Sequence, residues 1–188
     1  MSTRIGDLAF LSDMHSAALV DRSGSVEWWC LPHFSSPSVF GRILDTGAGH
    51  FRVAPTLIES VERHYLDDSL VLRTTFQTAT GTLELTDALA MAKGVRGHDV
   101  GKGSPHVILR EAHCTSGEIG LEVDFVPRFE YGLTTPLVWH EDGIVISTGG
   151  PTTLRLDAGM ELAIDGAAAA GRTRLRTGES IELSLIHI

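Results

Sequence analysis

The chain is poor in cysteine and in positive charge, and each shortage excludes a class of protein. Its two cysteines, Cys30 and Cys114, are far apart and form no CxxC pair. Buried free thiols in a reducing cytoplasm are therefore predicted, and a disulfide would require the fold to bring the two together. The formal net charge of -9 at pH 7 would repel a phosphate backbone, so we expect no nucleic-acid partner.

Long apolar runs are missing as well. No stretch of 18 apolar residues occurs, so no transmembrane helix and no membrane partner are expected. Asp7 and Asp13 interrupt the apolar residues near the amino terminus, which argues against a secretory signal. The sequence therefore predicts a cytoplasmic location.

The common motifs of catalysis and cofactor binding are absent. There is no HExxH, GxSxG, P-loop or GxGxxG, so neither a nucleophile elbow nor a phosphate cradle is expected. The nine histidines form no close His-x-His pair, and His98, His106 and His113 are spaced too loosely for a local metal site. We expect surface or loop histidines, no metal site and no cofactor.

No pair of carboxylates stands out either, although glycosidases need two at a set separation. Several glutamates alternate with apolar residues on strand-like segments, which is typical of the solvated face of a sheet. These are Glu27, Glu111, Glu122 and Glu130. We therefore expect no catalytic residue in this chain.

What the sequence does contain is a series of short alternating runs separated by glycine turns. Residues 82–86 place leucines on one face and polar residues on the other, and Asp21–Gly24 has the Asp and Gly of a type I turn. This pattern predicts an all-β antiparallel β-sandwich in one domain, residues 1–188. The predicted strands are 16–20, 25–30, 70–78, 82–89, 106–114, 119–126, 137–140, 144–148, 152–156, 160–164, 172–176 and 180–186.

Three local features complete this prediction. Ser36 and Pro37 resemble a helix start, with Phe40 on the buried face of a short helix. The glycine-rich basic segment 92–104 is typical of an exposed loop. The chain ends on an apolar strand, so we expect truncation at the carboxyl-terminal end; a further hypothesis is that residues 184–188 are foreign to the native reading frame.

The densest aromatic segment is Gly24–Phe40. Its adjacent tryptophans, Trp28 and Trp29, would point to opposite faces of a strand. Since Val26 is apolar and Glu27 is charged, the face of Val26 and Trp28 is predicted to be the core, with Trp29 outward as a platform for sugar rings. The alternative is that both tryptophans are buried, one of them against a neighbouring domain.

The same segment resembles the opening of bacterial glycoside hydrolase family 15, the trehalase-like and glucoamylase-like enzymes. The resemblance covers about residues 5–156. It is carried by 17–20, 23–28, 30–32 and 34–40, by Tyr65 with Leu70–Leu72, by Thr86-Asp87 and by the sequence Pro-Arg-Phe-Glu-Tyr-Gly at 127–132.

The resemblance implies an amino-terminal β-sandwich ahead of an (α/α)6 barrel that carries two catalytic glutamates and inverts configuration. On this basis the chain is expected to be a non-catalytic module of an enzyme that cleaves α-glucosidic bonds. It would pack on the catalytic barrel of the same polypeptide, with Trp29, His33, Phe34 and Ser35 at the rim of the substrate pocket. The alternatives are a free-standing carbohydrate-binding sandwich and a purely structural domain.

Departures from the family pattern fall in this loop. His33 stands where the family usually has arginine, and Ser35 where it has aspartate. These differences affect the expected substrate more than the expected fold.

Overall fold

The chain folds almost entirely into antiparallel strands. The structure, a computed structural model, describes residues 4–188. Its 15 strands are β1 Ala9–Ser12, β2 Ala17–Val20, β3 Ser25–Cys30, β4 Ser38–Gly41, β5 His50–Pro55, β6 Ser60–Tyr65, β7 Leu72–Thr78, β8 Gly81–Leu89, β9 Val107–Val126, β10 Leu137–Glu141, β11 Ile144–Gly149, β12 Thr152–Asp157, β13 Ala163–Asp165, β14 Ala168–Arg176 and β15 Ser180–His187. Short 3₁₀ helices span Ile5–Asp7, Gly97–Asp99 and Glu130–Gly132. The predicted all-β class is confirmed, and within the described part no helix has the length and apolarity needed to cross a bilayer.

Strand β9 belongs to both layers of this sandwich-like fold. Its first half pairs with β8 and β15, in a layer ordered β6-β7-β8-β9-β15-β12-β11-β10. Its second half pairs with β5 and β14, in a layer ordered β1-β2-β3-β5-β9-β14-β13, with β4 beside β3. One long strand therefore holds the two layers together.

The break predicted between the strands 106–114 and 119–126 is wrong, because both belong to one continuous strand, β9, which passes through Gly117 without reversing. Gly117 has φ +71°, and a Cβ there would lie 2.0 Å from the carbonyl oxygen of Thr80. Only glycine allows β8 and β9 to approach this closely. The glycine signal was real, but it marks a bend between the layers instead of a hairpin.

Aromatic side chains fill the centre of the core. The rings of Phe51 and Phe125 meet edge to face at 5.7 Å, and Phe40 meets Phe125 in the same way at 6.1 Å. Trp29 stacks on Phe40 at 6.5 Å. These rings come from β3, β4, β5 and β9, so the core depends on strands distant in sequence.

A buried ion pair within one layer also reaches the other layer through its arginine. Arg110 on β9 donates to both carboxylate oxygens of Asp87 on β8, at 2.7 and 3.2 Å. Its other hydrogen bonds reach the carbonyl oxygens of Phe51, at 2.8 Å, and Gly24, at 2.7 Å. Both charged side chains are fully buried. The Thr86-Asp87 sequence therefore has a structural role.

A β-bulge in β3 overturns the predicted orientation of the two tryptophans. Leu19 on β2 pairs with Trp28, but the next residue, Val20, pairs with Val26 and leaves one extra residue in β3. The extra residue shifts the alternation by one position. Val26 and Trp29 are consequently both fully buried, whereas Trp28 is half-buried. The prediction from strictly alternating side chains therefore placed the wrong tryptophan, Trp28, in the core.

The extra residue is Glu27, which was predicted on a solvated face. It is buried instead, and both of its oxygens accept hydrogen bonds from Arg42 Nε, at 3.0 and 2.8 Å. Arg42 also donates to Ser25 Oγ at 3.0 Å. The arginine neutralises a carboxylate that the bulge turns away from water.

The short helix predicted after Ser36 is also wrong. Ser38–Gly41 forms β4, which pairs with β3, and its residues are all buried. Pairing with β3 satisfies the backbone and buries Val39 and Phe40, which outweighs the local helix-start signal.

The two cysteines are buried and free as expected, and burial raises the pKa of Cys30 to about 11.

His50 at the start of β5 gives the fold a pH dependence. Burial, assisted by the positive charge of Arg42, lowers the pKa of His50 to about 4. Between about pH 6.5 and pH 4, His50 therefore binds a proton in the unfolded chain but not in the folded chain. The free energy of unfolding consequently rises with pH across this window. We expect the melting temperature to fall as the pH is lowered from 7 to 5, and His50→Gln to make this fall smaller. His64→Gln, at an exposed position on β6, should retain the full pH dependence; an equal slope in all three proteins would contradict the assignment.

Candidate functional site

Loops from distant parts of the chain meet at one end of the fold and bring four histidines together. We call His15, His33, His106 and His187 the histidine corner. The ring centres of His15 and His33 lie 5.6 Å apart, and His106 lies 6.0 Å from His15 and 6.2 Å from His33. His187 at the end of β15 lies 6.4 Å from His106. The corner thus joins the turn after β1, the loop after β3 and the residue before β9.

Asp13 links the turn after β1 to the segment before β9 through hydrogen bonds. Its Oδ1 accepts hydrogen bonds from the backbone N–H groups of His15, at 2.9 Å, and Ser16, at 2.7 Å, and Ser104 Oγ donates to its Oδ2. Burial alone would raise the pKa of Asp13, but the hydrogen bonds from Ser104 and from the backbone outweigh it and leave the pKa below its ordinary value. A buried carboxylate therefore lies beside the imidazoles.

The loop after β3 is fixed to the same turn. The backbone N–H of Phe34 donates to the carbonyl oxygen of His15 at 2.9 Å, and Ser36 Oγ accepts from His33 N at 3.2 Å. These contacts leave the side chains of His33 and Phe34 exposed, with Phe34 55% exposed. The loop is therefore ordered at its backbone and open at its tip.

A cleft of about 250 Å³ lies on the other side of this loop. It is lined by Leu31–Pro32 and 36–39, by Phe129 and Glu130, by Gly149, Pro151 and Thr152, and by His187. Apolar and backbone groups form most of its wall. The cleft and the histidine corner together make the loop end of the fold the candidate functional site.

The wall at Glu130 has unusual backbone geometry. Glu130 and Tyr131 have φ +52° and +62°, and Gly132 follows at +93°. Two consecutive non-glycine residues in this region cost about 1–3 kcal/mol each, and such conformations concentrate at functional sites. A Cβ on Gly132 would lie 2.7 Å from Ala48 Cβ, so this glycine also permits a close approach.

This geometry places Tyr131 over Trp28. The two rings stack with centres 6.0 Å apart and 30° between their planes, and Tyr131 remains 44% exposed. Leu133, just beyond, is 86% exposed. The Pro-Arg-Phe-Glu-Tyr-Gly sequence therefore presents an aromatic and aliphatic surface next to the cleft.

The four residues predicted at a pocket rim do not stay together. Trp29 lies in the core, where its Nε1 donates to Ser16 Oγ at 3.2 Å, so its predicted outward position is wrong. His33, Phe34 and Ser35 are exposed on the loop, and their position at a substrate-pocket rim stays a prediction.

Sequence reasoning missed Asp13, His15 and His106 as members of the site. Asp13 and His15 lie on the turn after β1 and His106 lies just before β9, and no short motif connects the two segments. In the described range no group of three or more His, Cys, Asp or Glu side chains could hold a metal ion. What the corner offers chemically is imidazole nitrogen, one buried carboxylate and the exposed ring of Phe34.

The fold and its organised loop end define a β-sandwich module. Residues 1–178 match the family model described as "Trehalase-like, N-terminal", and the chain therefore belongs to that family. It is 38% identical to the trehalase of Mycolicibacterium smegmatis over 203 residues and 37% identical to that of Mycobacterium tuberculosis over 202 residues, with 96% of the chain covered in each case. It is 34% identical to trehalase 1 of Sulfolobus acidocaldarius over 136 residues, or 72% of the chain. The chain spans 30%, 29% and 21% of the length of these relatives.

Proposed function

We propose that this chain is the non-catalytic amino-terminal module of a glycoside hydrolase that acts on an α-glucosidic bond, with trehalose as the first substrate to test. The observation that carries the proposal is the alignment of 96% of the chain with only 30% of a trehalase. A module of this size leaves more than half of such an enzyme to a further domain. In the resemblance noted above, that domain is an (α/α)6 barrel with the catalytic glutamates.

The exposed apolar side chains near the cleft support packing against such a domain. Phe34 borders the histidine corner, and Tyr131 and Leu133 follow the cleft wall. Leu137 at the start of β10 is 72% exposed. Clustered exposed apolar residues commonly mark a surface that another protein unit covers. We propose that the loop end is this surface and that residues 33–35 reach the rim of the substrate pocket.

Two other functions receive less support. The carbohydrate-binding hypothesis relied on Trp29 as an outward platform, and Trp29 is buried. A purely structural role gives no reason for the left-handed backbone at Glu130 and Tyr131 or for the exposed ring of Phe34.

Two free buried thiols are compatible with action in a reducing cytoplasm, which we propose as the location.

Phe34→Ala in the full-length polypeptide tests the proposed position of the loop. The ring is exposed in this chain, so removing it should leave the melting temperature of the isolated chain unchanged. If the loop packs at the rim of a pocket, kcat/KM for trehalose should fall about fivefold or more, since a buried interface aromatic contributes at least about 1 kcal/mol. Steady-state kinetics and thermal unfolding on the same preparations provide both numbers.

Leu57→Ala is the matched control, because Leu57 is an exposed apolar residue beyond the far end of β5. It should leave both the kinetics and the melting temperature unchanged. Unchanged kinetics in Phe34→Ala would remove the loop from the pocket rim. A fall of the same size in Leu57→Ala would show that the effect is not specific to the loop end.

A further inference from the structure

We propose that the histidine corner is a pH-sensitive switch, which releases the loop 31–37 from the turn after β1 in mildly acidic solution. Its three central rings belong to His15, His33 and His106, and their centres lie 5.6, 6.0 and 6.2 Å apart. Each ring therefore has both others as neighbours, an arrangement that suits neutral imidazoles. Such a switch is a property of this chain and does not depend on the function of the longer protein.

Protonation gives the rings of the corner a reason to separate. Imidazole ordinarily titrates near pH 6.5, and two positive charges about 6 Å apart repel each other. Coupling of this kind already acts on His187, whose ring centre lies 6.4 Å from that of His106: burial, and then the positive charge of His106, lower the pKa of His187. An open corner, with its rings apart, therefore binds more protons than a closed one, and a falling pH favours opening.

Asp13 stabilises the charge on one of the three rings. Its Oδ2 lies 3.8 Å from His106 Nδ1, an atom that is buried and has no hydrogen-bond partner among the described residues. A protonated Nδ1 would donate to this carboxylate, so we expect the charge on His106 to keep that ring in place. Within the described part of the chain, His106 is the only histidine that faces a carboxylate in this way. Charges on His15 and His33 are not compensated, and they repel both each other and His106.

The loop before β9 supplies no counter-charge. Gly101 brings it against the turn, and a Cβ on this glycine would lie 3.4 Å from the ring of His15. The charged side chains on either side of Gly101 are Asp99 and Lys102, and they pair with each other at 2.7 Å. The charge that the corner gains in mild acid is therefore carried by the imidazoles.

The loop 31–37 is the part of the corner that is most weakly held. The turn after β1 is fixed by the hydrogen bonds to Asp13, and His106 directly precedes β9. Across the described residues, one backbone hydrogen bond joins the loop to the turn, from the N–H of Phe34 to the carbonyl oxygen of His15 at 2.9 Å. Repulsion across the corner acts against this bond, so the loop should be the element that moves.

Amide hydrogen exchange followed by NMR on the 188-residue chain tests the switch. The N–H of Phe34 reports its bond to the turn, and its protection is measured relative to the intrinsic exchange rate at each pH. We expect this protection to fall about tenfold from pH 7.5 to pH 5.5, the order of effect of two like charges about 6 Å apart near a protein surface. Circular dichroism should show the same fold at both pH values.

Three variants remove the charges of the corner one at a time. His15→Ala, His33→Ala and His106→Asn should each abolish most of the fall in protection. Asparagine is used at position 106 because that residue has φ +53°, a conformation that asparagine tolerates. In His15→Ala, the titration midpoint of the His33 imidazole resonances should also rise by about half a pH unit, the effect of removing one charge about 6 Å away in water.

His50→Gln and His64→Gln are the controls, since neither histidine belongs to the corner. His64 is exposed, and His50 is the buried histidine that makes global stability depend on pH, so its replacement separates loop release from unfolding. Both controls should keep the full fall in protection at Phe34. Equal protection at the two pH values in the parent chain would overturn the proposal. So would an undiminished fall in all three corner variants, or a fall that disappears in His50→Gln.

Discussion

Trp29→Ala should lower the free energy of unfolding by about 3–5 kcal/mol, the usual loss when a large buried aromatic side chain is removed. Trp29 is fully buried, stacks on Phe40 and donates through Nε1 to Ser16 Oγ. The variant would lose this packing, leave a cavity beside Phe40 and remove one hydrogen-bond partner of the buried Ser16 hydroxyl. Urea denaturation followed by circular dichroism measures the loss.

Trp28→Ala is the matched control for this prediction. Trp28 lies next to Trp29 in the same strand but is half-buried and stacks only on the exposed Tyr131. Its removal should cost about 1–2 kcal/mol, within the range for a partly exposed aromatic contact. A larger loss in Trp28→Ala than in Trp29→Ala would contradict the bulge in β3 and restore the simple alternation.

Asp87→Asn should destabilise the chain by about 3–5 kcal/mol, because it leaves a buried guanidinium without its counter-charge. Arg110 is fully buried and also holds the carbonyl oxygens of Phe51 and Gly24, so it cannot turn out to water without breaking contacts between the layers. Asparagine keeps the shape of aspartate, so the loss reports the charge and not a cavity. The change in urea midpoint at constant slope gives its size.

Glu118→Gln provides the comparison. Glu118 also pairs with arginines, Arg174 at 3.5 Å and Arg176 at 3.4 Å, but its side chain and theirs are exposed. Exposed ion pairs contribute about 0–1 kcal/mol, so this variant should unfold close to the parent. Equal losses in Asp87→Asn and Glu118→Gln would mean that the buried pair contributes no more to stability than an exposed one.

The overall class of fold could be predicted because it depends on local pattern. Strand β3 has the predicted bounds. Five other strands each begin and end within two residues of their own predicted bounds: β7, β8, β10, β11 and β12. Alternating side chains and glycine turns are sufficient for this. The pattern failed where a tertiary contact changes the local rule: at Glu27, where a bulge shifts the alternation, and at Gly117, where a glycine bends a strand that continues.

The candidate site was much less predictable, for a physical reason. His33 and Phe34 could be selected because they lie in one aromatic segment of the sequence. Asp13, His15 and His106 could not, since only the completed fold brings the turn after β1 next to the residue before β9. Single-sequence reasoning finds chemistry that a motif carries, and the histidine corner has no motif.

The central proposal is that a further domain of a glycoside hydrolase covers the loop end of this module. Amide hydrogen exchange tests it most directly, by comparing the 188-residue chain with the full-length polypeptide that contains it. We predict slower exchange at 31–37 and 130–137 in the longer protein. Exchange at the far end, around Gly117 and Leu57, should be the same in both. Equal exchange at the loop end in the two proteins, or protection only at the far end, would contradict the account.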